Sequence, residues 1–144
     1  MSDTNHVSIN CVQSLFDTLV DVSEGYEELV QRADASIRGL IRDMADQHEK
    51  DIAEIDKTAK RCGIELDSSG TLMSDVQKVV VKFRDHVSKL GPNVLEAIAG
   101  GEETVVKRYD SAIKDLPEDH ELHTVLTRQR QTLRSKIGDL FSAA

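Results

Sequence analysis

The chain has 144 residues, 39% of them hydrophobic and 31% charged, which is the balance of a globular domain and not of a disordered segment. Its formal net charge of −8 opposes nucleic-acid binding, which needs clustered Lys and Arg, and it contains no apolar run long enough for a membrane span. There is no Trp, so the core has to be built mainly from aliphatic side chains.

One domain over residues 1–144 is expected, with about residues 1–7 as a disordered N-terminus. Met1-Ser2-Asp3-Thr4-Asn5-His6 has no basic stretch ahead of an apolar one, so no signal peptide is read. Cys11 and Cys62 are too few for a disulfide framework. A reducing, cytoplasmic location follows as the expectation.

In the first segment Val12, Leu15, Phe16, Leu19, Val22, Tyr26 and Leu29 recur at steps of three and four, the signature of one helical face. This predicts a helix over Ser8–Ala33. Asp34 is placed to cap the next, over Ala35–Cys62, whose stripe runs Ile37, Ile41, Met44, His48, Ile52, Ile55, Ala59 and Cys62. Lys60 and Arg61 favour its C-terminal dipole, and Gly63 suits the residue after its end. So short a connection predicts antiparallel neighbours.

A polar stretch around Ser68-Ser69-Gly70 precedes a third amphipathic segment, Leu72–Lys89. Gly91-Pro92 then opens a helix over Pro92–Asp115, and a last one follows Pro117 over Glu118–Ser142. The expected fold class is therefore all-α: a four-helix bundle with an extra helix in the long crossover between its second and third members. Such wiring is that of ferritin-like folds, as distinct from a plain up-down-up-down bundle. Gly100-Gly101, inside a helix, implies either close packing of a neighbour or a bend.

Polar residues on the apolar stripes are the candidate site. His48 falls at the stripe centre of the second helix with Asp51 at its edge, while Glu102 and Gln129 interrupt the stripes of the last two. On the first helix Tyr26 is central and Glu27 lies at the flank, while Asp21, Glu24 and Glu28 make a solvated acidic face. At ~1.5 Å of rise per residue, Tyr26, His48, Glu102 and Gln129 can meet in one mid-bundle polar layer.

Two readings of that layer differ in class. In one it is a hydrogen-bonded structural network, because buried polar groups must find partners whatever the function. In the other Glu102 and His48, with Glu27 and Asp51, ligate iron, manganese or zinc. The chain lacks the Glu-x-x-His pairs of a di-iron carboxylate centre, so no cofactor is expected and an enzyme is disfavoured. Leu95, Val106 and Ile113 widen the apolar face of their helix, and this predicts self-association.

Several patterns together resemble a ferritin-like family of small bacterial four-helix-bundle proteins classed as a domain of unknown function. They are Glu24-Gly25-Tyr26-Glu27, Ser68-Ser69-Gly70 after Cys62-Gly63, and Val94-Leu95-Glu96 through Gly101-Glu102-Glu103 to Tyr109. Leu116-Pro117, Gln129 and Gln131 complete them, and the resemblance runs from Val7 onward. It implies a ferritin-like bundle with no established activity and, by analogy, a role in interaction or stress physiology. The family's crossover helix typically carries a Trp, which Val79-Val80-Val81-Lys82-Phe83 lacks.

Overall fold

The computed structural model describes residues 2–67 and 94–143, with side chains from Asn10 onward. Among these residues the chain is all-helical, in four helices: α1 (Ser2–Arg32), α2 (Ala35–Arg61), α3 (Val94–Asp115) and α4 (Glu121–Ala143). The helix expected over Leu72–Lys89 and the loop at Ser68-Ser69-Gly70 lie outside the described residues.

Local chemistry accounts for the ends. α1 starts at Ser2 instead of Ser8, because Ser2, Asp3 and Thr4 are themselves residues that favour helix starts. Asp34 precedes α2, but its side chain makes no capping hydrogen bond. Its backbone carbonyl receives the Ile37 and Arg38 amides at 3.1 and 3.0 Å instead. At the other end Gly63 has φ +80°, a conformation that glycine adopts without a Cβ clash. Gly63 N–H donates to the Lys60 carbonyl at 3.0 Å and Ile64 N–H to that of Ala59 at 2.8 Å, which is a Schellman closure. α4 begins at Glu121, three residues later than expected. Pro117–His120 closes as a turn (His120 N to Pro117 O, 3.0 Å), and His120 Nδ1 then accepts the Leu122 amide at 3.1 Å.

Side-chain pairs give the helix directions. Cys11 Sγ–H donates to Asp115 at 2.7 Å and Tyr26 donates to Glu102, so α1 and α3 are antiparallel. Arg61–Glu121, Glu54–Arg128 and Asp43–Lys136 run α2 against α4. Asp110–Arg130 and Glu103–Arg134 run α3 against α4. α2 is then parallel to α3, so the link between them starts and finishes at opposite ends of the bundle. Its first part is held on α1, where the Gln13 side-chain amide both donates to and accepts from the Asp67 backbone, each at 2.8 Å.

Among the described residues the core is aliphatic apart from Phe16 and two buried tyrosines, Tyr26 and Tyr109. Leu95 and Val106, read as an extra apolar face, are 0% and 4% exposed, and Ile113 packs against the same core. That face is spent within the chain, and the observation that predicted self-association goes with it. Cys62, placed on the α2 stripe, is exposed, and both cysteines are free thiols.

Gly100 is exposed, and a Cβ added there meets nothing within 4 Å, so no neighbouring helix requires a glycine at this position. Gly100→Ala should raise the unfolding free energy by about 0.5–1 kcal/mol, measured by urea denaturation. A loss of stability instead would show that α3 needs the glycine to bend.

Candidate functional site

Most of the buried polar residues gather where the four helices face one another. Tyr26, His48 and Glu102 are each 0% exposed, Gln129 1% and Asp51 3%. The apolar periodicity of each helix turns these positions inward, and their mid-helix location brings them to one level.

Glu102 is the hub. Its Oε2 accepts the Tyr26 hydroxyl in a short hydrogen bond and His48 Nε2 at 2.8 Å. A carboxylate only accepts, so Nε2 carries the proton. The His48 ring also stacks on Tyr26, with centroids 5.8 Å apart and planes at 25°. One carboxylate thereby ties α1, α2 and α3 together.

A second network joins α2, α3 and α4. The Tyr109 hydroxyl donates to Gln129 Oε1 at 2.9 Å. The Gln129 amide donates in turn to Glu54 Oε1 at 2.9 Å and to the Asp51 carbonyl at 3.3 Å. Glu54 is also held by Arg128 at the surface, and Asp51 Oδ1 accepts Gln47 at 2.9 Å. The chain of bonds thus runs from a buried phenol to a solvent-exposed ion pair.

Electrostatics follow from this packing. Burial is the largest influence on His48 and opposes its charged form, yet the Glu102 charge, the hydrogen bond to it and Asp51 together prevail against burial and Lys136, and its pKa is raised. Burial raises Asp51, only partly offset by the Gln47 hydrogen bond and the His48 charge. Burial also pushes Tyr26 well above the ordinary phenol range, reinforced by Glu102, and raises Tyr109, reinforced by Asp51 and Glu102. For Glu54 burial acts upward, but the Gln129 and Arg128 hydrogen bonds outweigh it and its pKa is lowered.

Of the residues proposed for the layer, Tyr26, His48 and Glu102 are joined directly, and Gln129 belongs to the second network. Asp51, placed at the stripe edge, is buried. Glu27 is exposed and does not enter the layer, because its position turns it away from the inward face that Tyr26 occupies. Asp21, assigned to a solvated face, is 3% exposed and its Oδ2 has no partner. Burial, followed by Glu24 and Asp17, raises its pKa.

Tyr109, Gln47 and Glu54 join these networks in addition to the residues expected from the sequence. Tyr109 has its ring in the apolar core, and only its hydroxyl enters the network. The spacing of Gln47, Asp51 and Glu54, four and then three apart, puts them on one ribbon of α2, and that pattern was the available signal.

The donor set does not fit a di-metal carboxylate centre. Glu102 and His48 are bonded to each other, Glu27 points elsewhere, and among the described residues no group of three or more His, Cys, Asp or Glu is placed to hold a metal ion. Two buried atoms in the layer, His48 Nδ1 and Glu102 Oε1, have no hydrogen-bond partner.

Among the described residues no helix is long and apolar enough to cross a membrane. Residues 7–115, well over half of the chain, match the model of a family described as a domain of unknown function, DUF2383. No curated protein and no solved structure matches the chain.

Proposed function

This chain belongs to the DUF2383 family, a domain of unknown function, and we propose that it is a non-enzymatic, ferritin-like bundle whose polar layer fixes the register of its helices. The observation carrying this reading is Glu102, wholly buried, with Tyr26 of α1 and His48 of α2 both spent on one of its oxygens. A catalytic acid or base has to reach a substrate, whereas these groups reach one another. The single long crossover joining parallel α2 and α3 supports the ferritin-like assignment. In this reading the protein acts through contacts of its outer surface, in an interaction or stress-related role, and the core supplies one well-defined shape.

The competing reading is an iron, manganese or zinc site on Glu102, His48 and Asp51, and the two unpartnered atoms in the layer are what favour it. Elemental analysis of protein purified without chelator or affinity tag separates the two. Far less than one equivalent of metal per chain is expected, unchanged in Glu102→Ala. One or two equivalents, lost in that variant, would overturn the structural reading.

A further inference from the structure

Within the polar layer His48 Nδ1 and Glu102 Oε1 have no hydrogen-bond partner in the chain, and both side chains are 0% exposed. Their sister atoms, His48 Nε2 and Glu102 Oε2, are bonded to each other at 2.8 Å, so neither residue can turn to satisfy its orphan without giving up that bond. The charges of Glu102 and Asp51 act both on His48 and on Tyr109, which brings four polar side chains of α2 and α3 to one region. Glu102 Oε1 requires a donor. His48 Nδ1 requires an acceptor when the imidazole is charged and a donor when it is neutral. Water supplies either, and two to four polar partners are what a buried water needs. An apolar occupant would leave both atoms unpaired. A metal ion is short of ligands, since among the described residues no group of three or more His, Cys, Asp or Glu is placed to hold one.

From this we infer that the layer is a hydration site, in which ordered internal water donates to Glu102 Oε1 and bonds His48 Nδ1. Leaving a buried polar atom unpaired typically costs more than immobilising one water molecule, so the balance favours hydration over a dry layer. Asp51 and Tyr109 are the neighbouring groups that can complete the water's bonding. The site rests on the reading of the layer as a structural network, and it joins the network's two parts. Tyr26, Glu102 and His48 on one side and Tyr109, Gln129 and Glu54 on the other then form one hydrogen-bonded system, from the core to the exposed Glu54–Arg128 pair. The register of all four helices is thereby held by a single connected set of bonds.

The test is a high-resolution crystal structure of the full chain, purified without chelator or affinity tag, with anomalous data collected at the iron, manganese and zinc edges. Density at about 2.6–3.2 Å from Glu102 Oε1 and from His48 Nδ1, without anomalous signal, is the expected result. A peak that scatters anomalously, or that lies closer than about 2.4 Å to these atoms as a coordinated metal does, would overturn the hydration site and the structural reading together. Both atoms bonded to protein groups, or no density at hydrogen-bonding distance from either, would overturn the hydration site alone and leave the structural reading standing.

Discussion

His48→Leu is expected to lower the unfolding free energy by about 3–5 kcal/mol, because it leaves the Glu102 carboxylate buried with Tyr26 as its remaining partner. Adding Glu102→Gln should recover part of that loss, since removing both members of a buried pair avoids an orphaned charge. The double variant should therefore be more stable than His48→Leu alone, measured by denaturant unfolding at one pH. Strictly additive losses would show that the two side chains do not meet and would end the register argument. The pH dependence has a defined sign. The His48 pKa is raised in the folded state, so its contribution is complete below the unfolded histidine value of about 6.5 and is lost as pH rises through the folded value. The wild type should show that alkaline-side loss, and the double variant should not.

Gln129→Leu is expected to cost about 1–3 kcal/mol and several degrees in melting temperature. It strands the Tyr109 hydroxyl and removes a donor from both Glu54 and the Asp51 carbonyl. Tyr109→Phe should cost less, and the pair together should cost less than their sum, because the second change removes the donor that the first left unpaired. Equal and additive effects would place Tyr109 and Gln129 in separate environments. Because Glu54 also holds Arg128 at the surface, loosening of α2 against α4 should accompany Gln129→Leu, read as faster amide exchange on the facing turns.

Period and punctuation were enough to read the helices. Steps of three and four at Leu15, Leu19, Val22 and Tyr26, or of four and seven at Leu122, Leu126, Leu133 and Ile137, describe one face of one element, and every one of these residues is buried. Gly63 marked the end of α2 because a left-handed turn requires it. The start of α4 was misplaced since Pro117 and His120 both suit a helix start. Only the hydrogen bonds show that the proline closes a turn and that His120 is the capping residue.

Within the site, sequence by itself determined which polar residues turn inward near mid-helix: Tyr26, His48, Glu102 and Gln129 all do. That much is a matter of angle and rise along a single helix. Which of them touch was decided by tertiary structure, because it depends on the relative rotation and stagger of separate helices. The way the helices are turned against one another leaves Glu27 exposed and Asp21 and Asp51 buried. Gln129 bonds Tyr109 and Glu54 and not Glu102. The tertiary structure likewise buried Leu95 and Val106 inside the chain, although the pattern on α3 alone left them free for a partner. A helical wheel records where each side chain points on its own axis, and pairing energies arise only between axes.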